Sequence, residues 1–329
     1  MAFELQRAIP NASIFGIDNL SRRGSETNWR SLQQTGVRVM HGDVRVAGDL
    51  EELPPADWVI DCAANPSVLA GLAGQGGDSS RRLVDNNLVG TVHLLEYCRR
   101  HGAGFVLLST SRVYSWPELH RIPLRETETR LEIDSRKGDS IPGLSERGIA
   151  ETFSTEPPAS LYGMTKRCSE LMALEYAEAF KFPLWINRCG VIAGPGQFGK
   201  PDQGILAYWA YASLMKLPLK YIGFGGKGKQ VRDFVLAEDV AQLVLKQIKE
   251  PNKQVPRLLN VGGGLHAALS LLELTRLCEK FYGHPIAVAA DPNPRPYDVP
   301  YYVSDTHHVQ HAWNWEPSQS AEAIGCRSH

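Results

Sequence analysis

The sequence has no C-x-x-C pair among its six cysteines, Cys62, Cys98, Cys168, Cys189, Cys278 and Cys326, and several of them lie in apolar runs. That spacing argues against a zinc site and against a disulfide framework, and free, buried thiols are expected. No apolar run is long enough to span a bilayer, and the opening Met1-Ala2-Phe3-Glu4-Leu5-Gln6-Arg7 contains no apolar signal core. An excess of charge of either sign is also missing. With 35 basic and 36 acidic residues the net charge is −1, and neither a basic stripe nor an acidic tail is present. These absences predict a reducing, cytoplasmic setting with no metal, no nucleic-acid partner and no membrane partner. A polyanionic ligand has to be met by a few local arginines and lysines. The 329 residues, 43% hydrophobic, suffice for a sizeable core.

What is present is an alternation of strands and helices. Residues 2–9 read as a helix tail. Short apolar strands are expected over 13–18, 37–40, 57–64, 104–110 and 183–188. A helix over 81–101 carries Leu83, Leu88, Val92, Leu95 and Cys98 on its inner side, and another runs from Leu161 to about Phe180. This alternation predicts an α/β fold with a doubly wound, mostly parallel sheet. Residues 116–160 form a polar insertion. Beyond Gly194 shorter elements follow Gly- and Pro-rich loops: helices near 204–216, 237–249 and 270–282, and strands near 219–222, 231–235 and 285–290. Two regions are expected: 1–193 for a dinucleotide and 194–329 mainly for a substrate.

One more absence matters. A dinucleotide fold needs a first strand and then a glycine-rich turn that feeds a helix N-terminus and receives the pyrophosphate. Here the chain opens inside what would be that helix, so it is expected to be truncated or to start at the wrong methionine. Its end, after Trp315-Glu316-Pro317, is expected to stop before a final helix. Two later stretches, Gly194-Pro195-Gly196-Gln197-Phe198-Gly199 and Gly223-Phe224-Gly225-Gly226-Lys227-Gly228, match G-x-G-x-x-G but follow no suitable strand. The second nearly spells a P-loop, yet Gln230 stands where Ser or Thr is required.

Tyr162 and Lys166 are four residues apart, so on a helix they share one face. An ammonium beside a phenol favours the phenolate, a base able to take a proton from a sugar hydroxyl. An isolated Y-x-x-x-K is more often a packed tyrosine beside a solvated lysine, so its surroundings decide. Asp18 ends the 13–18 strand, where an acid accepts hydrogen bonds from a ribose diol and repels a 2′-phosphate. That favours NAD, with Arg22 and Arg23 leaving NADP open. Alone, Asp18 is equally a turn or cap aspartate. Ser109-Thr110-Ser111-Arg112 follows the 104–110 strand, on the sheet edge where such folds bind ligands, and Thr110 is placed to hold the oxygen that Tyr162 deprotonates.

Asp18, the Thr110 loop, Tyr162-x-x-x-Lys166, Asn87-x-x-Gly90-Thr91 and Asn260-Val261-Gly262-Gly263 together resemble the extended short-chain dehydrogenase/reductase family, the nucleotide-sugar epimerases and dehydratases. They span nearly the whole chain in order. Asp202-Gln203-Gly204, Gly228-Lys229-Gln230-Val231-Arg232-Asp233, Ser270-Leu271-Leu272-Glu273-Leu274 and Glu126-Thr127-Glu128-Thr129-Arg130 are similar to the subgroup that epimerises C2 of a CDP-linked dideoxyhexose.

The resemblance implies a Rossmann-type sheet that holds NAD and a nucleotide-diphosphate sugar. Tyr162, Lys166 and Thr110 are the implied catalytic set. Asp18 and Asn19 would meet the adenosine ribose, Asp43 and Val44 the adenine, and Ala63 and Ala64 the pyrophosphate and nicotinamide ribose. Lys166 would also hold that ribose, with Ser21, Arg22, Asn87 and Ser109 completing the cofactor set. Arg232 and Arg295 would clamp the substrate diphosphate, joined around the substrate by Arg188, Gln203, Gly204, Lys229, Gln230 and Asp298. Without the family context each arginine reads as a surface ion pair. A homodimer through the two long helices is also implied. Dehydratases of the family carry an Asp-Glu pair after the Thr110 position, and decarboxylases a glutamate. Ser111 and Arg112 stand there and argue against both. A 4-epimerase stays open, as does a non-catalytic homologue that binds a nucleotide sugar or a partner.

Overall fold

The computed structural model of the chain describes residues 1–22, 24–72, 79–136, 141–201, 203–320 and 323. Arg23, Asp202 and Cys326, named above, lie outside them.

Helix α1 (Ala2–Ala8) precedes β1 (Phe15–Asp18), α2 (Ser25–Gln34) and β2 (Arg38–His41). β1 and β2 pair in parallel, with Asp18 opposite His41 at their C-terminal ends. After α3 (Ala47–Glu51) and β3 (Trp58–Asp61) comes a long helical stretch in three parts. These are α4 (Ser80–Val84), a π-helical turn over Asp85–Val89, and α5 (Gly90–His101). The π turn departs from the simple 3.6-residue period. Asn87, Gly90 and Thr91 face inward there, while Leu88 and Val92, expected inside, are only half-buried. Leu83, Leu95 and Cys98 are buried as expected.

β4 (Gly104–Thr110) is followed by the polar insertion, which holds α6 (Trp116–Arg121), a hairpin of β5 (Leu124–Glu126) and β6 (Leu131–Ile133), and a ribbon of β7 (Leu144–Ser145) and β8 (Gly148–Ile149). Then come α7 (Leu161–Phe180), β9 (Leu184–Cys189), β10 (Val191–Ala193), α8 (Ile205–Leu214), β11 (Leu219–Ile222), β12 (Val231–Leu236), α9 (Ala237–Lys249) and β13 (Leu258–Val261). β14 (Ala268–Ser270), α10 (Leu271–Tyr282), β15 (Val288–Asp291), β16 (Tyr301–Tyr302) and α11 (His307–Trp313) complete the chain.

The main sheet runs β3-β4-β9-β13, all parallel. Alternate residues of β4 and β9 supply cores on its two faces. Phe105, Leu107, Leu184 and Ile186 pack with Leu94, Leu95 and Cys98 of α5 and Ala173 of α7. Val106 and Trp185 pack with Val240 and Val244 of α9 and Val309 and Trp313 of α11. Each fully buried side chain of this size contributes about 1.5–3 kcal/mol. The fold is therefore the expected doubly wound α/β sheet. In the usual doubly wound order a further strand lies between β1 and β3. Among the described residues no strand joins those two edges.

A second sheet joins β10, β12 and β14, with β16 on the other edge of β12, and β11 pairs with β15. The chain does not stay there, because α9 packs against the main sheet and β13 pairs with β9. The carboxyl ends of β4 and β9 thus open towards the second sheet. Among the described residues no helix is long and apolar enough to cross a membrane.

Candidate active site

The site begins at the first turn of α7. Ser160 caps the helix by accepting the Gly163 N–H at 3.0 Å. Tyr162 and Lys166 follow one turn apart, 7% and 1% exposed. Gly163 between them lets the chain after β4 come close: a Cβ there would lie 2.1 Å from the Arg112 carbonyl oxygen. Thr110, at the end of β4, accepts the Arg112 N–H at 3.2 Å and sets its hydroxyl against the Tyr162 phenol. Strand end and helix start therefore form one catalytic corner.

Burial pushes the Tyr162 hydroxyl above its ordinary range, while the Thr110 hydrogen bond and the positive charge of Arg112 pull it back. The charge of Arg112 thus joins the expected pair at this corner, and the charge of Lys166 acts on the Cys62 and Cys189 thiols at the ends of β3 and β9.

The corner forms one end of a cavity of about 720 Å³. Arg112, Arg232 and Arg295 line it together with Asp298, Gln203, Gly204 and Gln230, so most of the expected substrate set is gathered in one space. Arg232 donates to Asp298 Oδ1 at 3.0 Å and to the Val299 carbonyl at 2.6 Å. Burial lowers Arg232 to about 10, Arg112 pushes in the same direction, and Asp298 opposes both. Gln230 is 7% exposed, and among the described residues its Oε1 has no partner. Gly204 adopts the left-handed conformation at φ 65° where α8 begins.

Three expected ligands are committed elsewhere. Arg188, 2% exposed, makes a bidentate pair with the buried Glu170 carboxylate at 2.9 and 2.8 Å and does not line the cavity. Lys229 bonds Glu126 at 2.8 Å and the Thr127 carbonyl at 2.7 Å, tying β12 to the insertion. Asn87, fully buried, brackets Asn65 by accepting its N–H at 2.7 Å and donating to its carbonyl at 3.1 Å, and it also donates to Thr165 Oγ1 at 3.2 Å. Ser109 does line the cavity, but its hydroxyl is used on Glu170 at 2.6 Å.

On the cofactor side, Asp18 is exposed at the tip of β1 and accepts the Leu20 N–H at 2.7 Å. Asn19 donates to Asp43 at 3.0 Å and accepts the Ser21 N–H at 3.0 Å. Asp43 is held well below the ordinary carboxylate range, chiefly by Arg45. The Val44 side chain packs under Gly90 in the core, and its carbonyl is bonded to His93 Nδ1 at 2.8 Å. Ala63 donates its N–H to Asp61 at 3.0 Å, and Ala64 is half-buried beside it. Arg22 reaches away from Asp18 into the cavity and bonds Gln203 and the Phe198 carbonyl.

These residues fit a dinucleotide. Lys166 is buried as a residue, and among the described residues its ammonium has no hydrogen-bond or ion-pair partner. That leaves its donors for acceptors such as ribose hydroxyls. Two contributors escaped the sequence. Arg112 was noticed only as a residue unlike those of dehydratases, and Glu170 was not noticed at all. The signal for Glu170 was its place four residues after Lys166, on the inner face of α7.

Residues 7–262 match the NAD dependent epimerase/dehydratase family. That match covers most of the chain, and the protein belongs to this family. Among curated relatives, the chain is 29% identical to CDP-paratose 2-epimerase of Salmonella typhi over 333 residues, 98% of this chain and 91% of that one. It is 27% identical to UDP-glucuronate 4-epimerase of Thermodesulfobacterium geofontis over 80% of this chain and 68% of that one. Among solved structures, UDP-glucose 4-epimerase of Thermotoga maritima with UDP-glucose superimposes with a TM-score of 0.77 at 21% identity, covering 99% of this chain and 93% of the other. UDP-glucuronic acid 4-epimerase of Bacillus cereus, in complex with UDP-glucuronic acid and NAD, gives 0.77 at 22% identity over the same shares. Both share the fold. The chain is thus an NAD-dependent enzyme of the nucleotide-sugar epimerase class.

Proposed function

We propose that the protein inverts C2 of a CDP-linked dideoxyhexose, as a CDP-paratose 2-epimerase does. The observation that carries the proposal is the corner formed by Tyr162 and Thr110 at the end of an arginine-lined cavity, with Ser111 and Arg112 where a dehydratase places its acid pair. The full-length similarity to the Salmonella typhi enzyme supports the choice of carbon and nucleotide.

In this proposal Tyr162 takes the proton of the sugar hydroxyl, Thr110 holds that oxygen, and the positive charge of Arg112 favours the phenolate. The chemistry that bound NAD would supply is reversible hydride acceptance at the same carbon, which leaves no net redox change. Asp18 and Lys166 would hold its two riboses. Arg232 and Arg295 would bind the diphosphate, with Gln203, Gly204, Gln230 and Asp298 around the remainder of the substrate. Residues 1–193 would mainly carry the cofactor and 194–329 the substrate. A homodimer through the two long helices is part of the same reading.

The test is turnover with NAD but no added reductant on a panel of CDP-, UDP-, GDP- and dTDP-sugars. CDP-paratose is expected to give CDP-tyvelose, and Tyr162→Phe to lose orders of magnitude in kcat. Turnover confined to UDP-sugars at C4 would favour a 4-epimerase, and full activity of Tyr162→Phe would remove Tyr162 as the base.

A further inference from the structure

Arg112 stands between the catalytic corner and the diphosphate arginines. Its backbone is pressed against the first turn of α7 at Gly163, and its side chain enters the cavity beside Tyr162. The guanidinium donates through Nη1 to the Tyr297 carbonyl at 3.3 Å. Tyr297 belongs to the turn closed by Asp298 N–H to the Arg295 carbonyl at 3.2 Å. That same turn carries Arg295 and offers Asp298 to Arg232. Arg112, Arg232 and Arg295 are therefore assembled around one turn with Asp298, and Arg22 and Lys220 line the same cavity. This cationic lining suits the negative charge of a diphosphate diester.

The Arg112 backbone abuts Gly163 beside Tyr162, and its guanidinium reaches the turn that carries Arg295 and Asp298. A phosphate held by that guanidinium is received beside the base. The sugar carbon nearest that phosphate is C1, and the hydroxyl-bearing carbon bonded to C1 is C2. C4 lies on the far side of the ring.

We propose that Arg112 binds the phosphate esterified at C1 and thereby presents the C2 hydroxyl to Tyr162, making it the residue that selects the carbon. This rests on the epimerase reading above. Arg112 is a substrate ligand in this role, and its planar fork suits a phosphate better than a lysine does.

Affinity for CMP, CDP, UMP and UDP, measured by calorimetry with NAD present, tests the binding role without turnover. The wild type is expected to prefer a diphosphate over its monophosphate by at least about tenfold, the scale of one charge-assisted hydrogen bond. Arg112→Gln should abolish most of that preference and leave monophosphate affinity unchanged. Arg112→Lys should keep part of it, which shows that the site remains folded. A preference that survives Arg112→Gln, or none in the wild type, overturns the proposal. Binding of the uridine pair alone would sink the CDP assignment while the Arg112 comparison is still read on UDP against UMP. A second measurement tests the carbon. Sugar nucleotides deuterated at C2 or at C4 should show a primary isotope effect for C2 alone. An effect for C4 alone, with the Arg112→Gln loss intact, keeps the phosphate contact and overturns its role in selecting C2.

Discussion

Gly163→Ala probes the catalytic corner most directly. Alanine is normally the better helix residue by up to about 1 kcal/mol. At Gly163 the added Cβ would meet the Arg112 carbonyl oxygen at 2.1 Å and its carbon at 3.0 Å, with the Ala159 Cβ at 3.2 Å. Ordinary contact begins at 3.4 Å, so the turn after β4 must retreat from α7 by more than 1 Å. Both partners are backbone, in a helix and in a strand-ended turn, and neither yields cheaply. Overpacking of this kind costs about 1–3 kcal/mol, which outweighs the gain in helix propensity. The functional cost is larger, because the turn carries Thr110 and Arg112. A misplacement near 1 Å lowers turnover by roughly 10²-fold. The assay pairs thermal unfolding with kcat on the sugar nucleotide, using Gly48→Ala as reference. Gly48 is exposed in α3 with nothing within 4 Å of a Cβ, so that change should be neutral or slightly stabilising. A Gly163→Ala variant with wild-type kcat would refute the claim that this contact sets the geometry of the corner.

Glu170→Ala leaves Arg188 buried without its carboxylate, and the urea midpoint should fall by the equivalent of about 3–5 kcal/mol. The double replacement Glu170→Leu with Arg188→Leu should recover much of that, and equal losses in both would contradict the pairing. Stability should also fall on acidification. Burial works to raise Glu273, but Arg130, the Ser270 N–H and Thr129 outweigh it and hold the carboxyl below its ordinary 4.5. Burial likewise opposes the lowering of Asp305, which the His307 N–H, Arg147 and Ser145 bring about. A depressed carboxylate contributes stability above its unfolded value and loses it as pH falls through its folded value. The unfolding temperature should therefore drop below pH 4.5, and Arg130→Gln should flatten that limb by freeing Glu273.

The parallel sheet was readable because its strands are short apolar runs set between amphipathic helices, and the Tyr162 helix because its cap and length are local features. The inner face of α4 and α5 was misjudged over one turn, since a π-helical insertion at Asp85–Val89 leaves no mark in a simple period. Hairpins within the polar insertion were missed because three-residue strands carry almost no alternation. The partners of Arg188 and Asn87 left no local mark in the sequence: Glu170 is 18 residues from Arg188, and Asn65 and Thr165 are 22 and 78 residues from Asn87, so only the fold brings them together. Arg112 shows the reverse: a surface-type residue that the chain directs inward because Gly163 leaves room for its backbone.

The ribbon of β1 and β2 is hydrogen-bonded within itself and belongs to a different sheet from β3, β4, β9 and β13. Its backbone ladder is therefore independent of the main one. Ile17 packs on the core beside Val44, and the connection between the two strands is fastened by Asn28 of α2 to the Gly196 carbonyl at 2.9 Å and by Arg22 to Phe198 and Gln203. Asp18 stands at the tip of that ribbon, and the loop after it connects through Arg22 to Gln203 and Phe198 at the border of the cavity.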